Sequence, residues 1–75
     1  MRGIEGIAID THGYIYVAGS DSNNIYRIFP NGMDHTAILT KENDITNPGG
    51  LAFNEDTNEL MVINDNSTSI YLYKT

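Results

Sequence analysis

The chain has 75 residues, with ten Asp+Glu against four Lys+Arg for a net charge of −6, and no cysteine. This excludes disulfides and thiolate metal sites and leaves no basic patch for nucleic acid or an anionic membrane. No apolar run approaches the ~20 residues that span a bilayer, residues 1–5 carry no apolar core of signal-peptide length, and a hydrophobic content of 40% argues for a folded chain rather than disorder.

In chain order the predicted elements are all strands. Gly6-Ile7-Ala8-Ile9-Asp10 reads as the first and Tyr14-Ile15-Tyr16-Val17-Ala18 as the second, joined by the hairpin turn Thr11-His12-Gly13. Each segment is short, rich in Ile, Val and Tyr, and bounded by turn formers. The polar turn of residues 20–24 leads to Ile25-Tyr26-Arg27-Ile28. Pro30-Asn31-Gly32 is a tight turn, with Pro and Gly supplying the special backbone angles, and a fourth strand follows over about residues 35–40. Residues 41–48 read as a polar connection. Three further strands then follow, Gly50-Leu51-Ala52-Phe53-Asn54, Glu59-Leu60-Met61-Val62-Ile63 and Ile70-Tyr71-Leu72-Tyr73, separated by turns at 55–58 and 65–69. No stretch carries a helical period of useful length.

The seven strands form an internal repeat. Gly6–Asp10 matches Gly50–Asn54 at an offset of 44, and Tyr14–Ala18 matches Glu59–Ile63 at 45. Ile25–Ile28 matches Ile70–Tyr73, again at 45. Three segments in one register, with one residue inserted in a turn, are hard to obtain by chance. Alternation places Ile15 and Val17 on one face and Tyr14, Tyr16 and Ala18 on the other, so both faces are apolar. A sheet with one wet side alternates apolar and polar residues; these sheets want a neighbour on each side. A four-stranded antiparallel unit covered on both faces and repeating every ~40–45 residues is a β-propeller blade. The expected fold is therefore all-β, a single unit over 1–75 of two antiparallel blades. Blade 1, four-stranded, spans about 4–40, the linker 41–48, and blade 2, three-stranded, about 49–75.

Asn47-Pro48-Gly49-Gly50-Leu51-Ala52-Phe53-Asn54, with Leu60-Met61-Val62-Ile63-Asn64-Asp65, resembles the "P-x-G-L-A-F-D … L-Y-V-A-D" pattern of NHL-repeat and SMP-30/gluconolactonase-like propellers. Gly6–Asp10 with Gly13–Ala18 resembles the same pattern, and Ser22–Gly32 resembles the family's third strand and turn. The resemblance covers nearly the whole chain. It implies about two blades of a six-bladed propeller with the Gly-Ile-Ala-Ile and Gly-Leu-Ala-Phe strands innermost. There the small Gly6, Gly50, Ala8 and Ala52 leave room where blades converge, while Tyr16, Tyr26 and Tyr71 fill the wedge further out. Ala52→Leu is accordingly expected to overpack.

The resemblance also implies a metal position. In lactonase-like members the residue before the inner-strand glycine faces the central funnel and can bind a divalent cation. Here those residues are Glu5, the one channel-facing candidate, and Gly49, which has no carboxylate. Ca²⁺ takes roughly 6–8 oxygens, more than one carboxylate per chain supplies; the structural alternative is a solvated rim residue. No cofactor is otherwise expected. Asp10 and Asn54 end their strands and read as turn-stabilising Asx residues. Asp21 and Asp65 lie in Asx-rich turns without the spacing of a calcium loop. His12 and His35 stand alone, Asn66-Ser67-Thr68 is a glycosylation sequon, and no nucleophile elbow or phosphate loop is present. No catalytic residue is assigned.

Two functions are weighed. The first is a non-catalytic blade module that self-assembles into a ring and serves as a structural or binding scaffold. The second, implied by the resemblance, is a piece of a lactonase-like, divalent-metal-dependent hydrolase. The absent carboxylate at Gly49 favours the first. The expected partner is a second copy of the chain, with three copies giving six blades, and neither nucleic acid nor membrane.

Overall fold

The computed structural model describes residues 6–19, 22–64 and 69–75. β1 (Ile7–Ile9), β2 (Ile15–Gly19), β3 (Asn24–Ile28) and β4 (His35–Leu39) form one antiparallel sheet in chain order. β5 (Gly50–Asn54), β6 (Glu59–Asn64) and β7 (Ser69–Lys74) form a second. Among the described residues the fold is all-β. Its one helical turn is the 3-10 turn Lys41–Asn43, and no helix is long and apolar enough to cross a membrane.

The turns form where the sequence supplies the required backbone. Gly13 takes φ +90° between β1 and β2, and Gly32 takes φ +74° after Pro30 and Asn31, angles at which a side chain is strained. The Gly32 N–H donates to the Phe29 carbonyl at 2.8 Å, closing that turn. A bulge between Ile25 and Tyr26 shifts the β3–β4 register, so that Ile25 pairs with Leu39 while Tyr26 pairs with Ala37. The added residue lets Leu39 join Ile25 in the core.

The two sheets pack face to face, with β5 lying against β1 and β2. Tyr16, Ile25 and Leu39 of the first sheet and Leu51, Leu60 and Val62 of the second are buried between them. The Tyr16 and Phe53 rings stack across the contact, centroids 6.5 Å apart and planes 7° from parallel.

The connection differs from its sequence reading. It is polar on its outer side, but Ile45 within it is completely buried in the core and Pro48 is buried beside β5. Thr40 caps the 3-10 turn, accepting from Glu42 N at 3.2 Å, while Asn43 Oδ1 accepts from Thr40 N at 3.0 Å. Asp44 then takes φ +67° and turns the chain inward, so that Ile45 joins the buried core. The two inner-strand alanines lie in different surroundings. Ala8 packs against the core. Ala52 pairs with Met61, and Met61 with Leu72, a row on the opposite face of its sheet from the buried Leu51 and Leu60.

Candidate functional surfaces: the two open sheet faces

Because paired residues share a face and successive residues alternate, the register assigns every strand residue to one side. The first sheet turns Ala8, Tyr16, Ala18 and Ile25 inward and leaves Ile7, Ile9, Ile15, Val17 and Ile28 outward. The second turns Leu51, Phe53, Leu60 and Val62 inward and leaves Ala52, Met61, Ile63, Ile70 and Leu72 outward. Ile7 and Ile9 are 51% and 61% exposed, and Ile70 and Leu72 60% and 59%. Each outer surface is therefore a largely aliphatic row, with the Glu59–Lys74 pair at one end of the second sheet's outer side. Across the repeat the faces are exchanged. Phe53 is inward where its counterpart Ile9 is outward, and Met61 is outward where its counterpart Tyr16 is inward.

On the open face of the first sheet, Val17, Tyr26, Ile28 and His35 line a shallow apolar cavity of about 250 Å³. Tyr26 and His35 meet edge to face, centroids 6.0 Å apart. Asn24 Nδ2 donates to the Tyr26 hydroxyl at 3.1 Å, and Ser22 Oγ donates to Asn24 Oδ1 at 2.7 Å.

At one end of the packed contact lies a polar network. Asp10 Oδ1 accepts from the backbone N–H of His12 (2.8 Å) and Tyr14 (3.0 Å), and Oδ2 accepts from the Tyr16 hydroxyl at 2.7 Å. Burial alone raises the Asp10 carboxyl pKa, but the hydrogen bonds from Tyr16, His12 and Tyr14 outweigh it and hold the group below its ordinary value. Tyr16 responds in the opposite sense. Burial, then the hydrogen bond to Asp10 and its negative charge, push the phenol up to about 12, with Arg27 opposing. The Arg27 guanidinium lies 4.9 Å from the Tyr14 ring centroid and 5.5 Å from that of Phe29, a cation–π arrangement, and its buried Nε has no hydrogen-bond partner.

The Asx assignments of Asp10 and Asn54 agree with this geometry, since Asp56 N donates to Asn54 Oδ1 at 2.9 Å. Asp10 does more than its turn demands, because it also binds Tyr16 across the hairpin. His12 is exposed in its turn and His35 is exposed against Tyr26. Glu5, Asp21, Asp65 and the sequon's Asn66, Ser67 and Thr68 lie outside the described residues. Gly49 is exposed, with nothing within 4 Å of where a Cβ would stand. Among the described residues no three His, Asp or Glu gather into a metal-binding group. The sequence reading missed Asn64, which is buried; it accepts from Thr46 N at 3.2 Å and donates to the Asp44 carbonyl at 3.1 Å, fastening the connection to β6. Its one sequence signal is an Asn that follows the apolar run Leu60–Ile63. Asn23 ties the connection from the other side, accepting from Asn47 N at 2.7 Å.

Comparison with family models, with curated proteins and with solved structures returns no match.

Proposed function

We propose that this chain is a two-blade propeller module of the NHL-repeat and gluconolactonase-like kind. It is non-catalytic and works by association, as a scaffold that assembles into a ring through its open sheet faces. The observation that carries the reading is the exchange of faces between the repeats. In a sandwich that is complete in itself, two related sheets would turn corresponding faces to each other. Here the first sheet contributes one face of the repeat and the second sheet the other, which is how blades stack, each front on the next back. The outward row of each sheet then corresponds to the row its neighbour buries. Exposed contiguous apolar surface of this kind marks an interaction site. The six-bladed pattern that the sequence resembles makes three chains the natural ring.

Solution mass by light scattering at micromolar concentration tests this. The expected result is about three times the 8.3 kDa of one chain. A single-chain mass, together with a cooperative melt, overturns it and leaves a free-standing two-sheet sandwich.

A further inference from the structure

Resting on that reading, we propose that the partner is a second copy of this chain, bound head to tail, and that the contact repeats the internal one with Met61 of one copy set over Ile9 of the next. The internal contact supplies the template. Tyr16, inward on β2, stacks on Phe53, inward on β5, with centroids 6.5 Å apart. The repeat carries Phe53 back to Ile9 at an offset of 44 and Tyr16 forward to Met61 at 45. Advancing the packing by one blade therefore brings Met61 onto Ile9. Both lie on the open rows, and Ile9 is 61% exposed.

The chemistry fits a copy of the chain. The row around Met61 includes the small Ala52, placed in its sheet as Ala8 is in the first, and Ala8 packs against the core where β1 lies against β5. Ala52 offers the same room to Ile7 and Ile9. Met61 is unbranched and adaptable, suited to fill a contact that two aromatic rings fill internally. A two-fold pairing would set the Ile7 and Ile9 row against itself and leave the other face of both copies bare. Head-to-tail stacking covers both. Such a heterologous contact repeats until it closes into a ring or grows as a fibre. The cavity lined by Val17, Tyr26, Ile28 and His35 lies on the same face as Ile9 and is covered by the same contact.

The chain has no cysteine, so Ile9→Cys and Met61→Cys can be introduced singly and treated with a short bifunctional maleimide. The two sites lie on opposite outer faces with both sheets between them, which excludes a link within one copy. Mixed after subunit exchange, the two variants are expected to give a covalent dimer that neither gives alone. The double variant is expected to give a ladder ending at the ring size. Circular dichroism confirms that each variant is folded, and light scattering on the untreated chain reports association independently. An associated chain whose single variants link to themselves, or whose mixture does not link, overturns the head-to-tail register and leaves the scaffold reading standing. A ladder without an end overturns ring closure. A chain that stays single overturns both readings.

Discussion

The two sheets share one sequence pattern and bury opposite sides of it. In the first, Ala8 and Tyr16 face the core and Ile7 and Ile9 face water; in the second, Leu51 and Phe53 face the core and Ala52 and Met61 face outward. Local pattern thus does not decide which face is buried. Both faces are apolar enough for burial, and the packing of the two sheets against each other selects one. The same type of residue at corresponding places should therefore respond oppositely to substitution.

Removing a core side chain should produce the largest effect. Leu60 is completely buried in the contact, whereas Leu72, on the neighbouring strand β7 and the opposite face of the same sheet, is 59% exposed. Leu60→Ala is expected to cost about 2–5 kcal/mol in urea unfolding. Leu72→Ala should leave the unfolding of the isolated chain nearly unchanged and act on association instead. Equal losses at the two positions would mean that the faces are not distinguished in solution.

The alanines sharpen the comparison. Ala8 sits in the packed contact, so Ala8→Leu is expected to overpack it and cost about 1–3 kcal/mol. Ala52→Leu, which the sequence pattern alone would rank beside it, should leave the melting temperature of the dilute chain unchanged within error and weaken self-association measured by light scattering. Loss of stability in both variants in the dilute chain would place Ala52 in a crowded contact after all.

These paired expectations separate what the sequence carries from what it does not. Strand positions, the 44- to 45-residue repeat and the apolar character of both faces were legible, because strand periodicity and turn chemistry are local. The choice of inward face was not, since a strand such as Tyr14–Ala18 is equally able to bury either side. Nor was the role of Ile45, one apolar residue in a polar connection, whose burial depends on the Thr40 cap and the left-handed Asp44 bringing the chain back to the sheets. Asn64 was hidden for a related reason. Its partners, the Thr46 N–H and the Asp44 carbonyl, are 18 and 20 residues away. The turn roles of Asp10 and Asn54 needed only neighbours two residues on, and were readable.

The Asp10–Tyr16 pair has no counterpart in the second sheet, where Asn54 and Met61 occupy the corresponding places. Tyr16→Phe removes the hydroxyl that donates to the Asp10 carboxylate and is expected to cost about 1.5–3 kcal/mol at neutral pH, the usual net worth of a hydrogen bond to a charged group. The pH profile has a definite sign. Asp10 is lowered in the folded state, so its contribution is present above its unfolded value near ~3.9 and is lost as pH falls through the lower folded value. Tyr16 is raised to about 12, so its contribution is present below its unfolded value of ~10 and is lost as pH rises from there toward the folded value. Thermal melts of the parent and Tyr16→Phe should therefore converge on the alkaline side. A gap between them that stays constant above pH 10 would show that the hydroxyl is not held as described.

The smallest expected effect comes from salt, and it acts on the open faces rather than the buried contact. The facing rows are aliphatic apart from Glu59 and Lys74, which pair with each other at one end of the second sheet's outer row. On this reading the drive for association is apolar, while each copy brings a net charge of −6 that opposes its neighbour at longer range. Screening shortens that range from about 8 Å at physiological ionic strength to about 3 Å at 1 M, and like-charge repulsion between copies falls accordingly. The dissociation constant for self-association is expected to tighten a few-fold between 0.15 and 1 M NaCl in sedimentation measurements. The chain's own unfolding midpoint should move little, because its core contact contains no ion pair among the residues that fill it. Weakening with salt would mean that charged groups attract across the contact. The rows that meet would then not be the aliphatic ones around Ile9 and Met61.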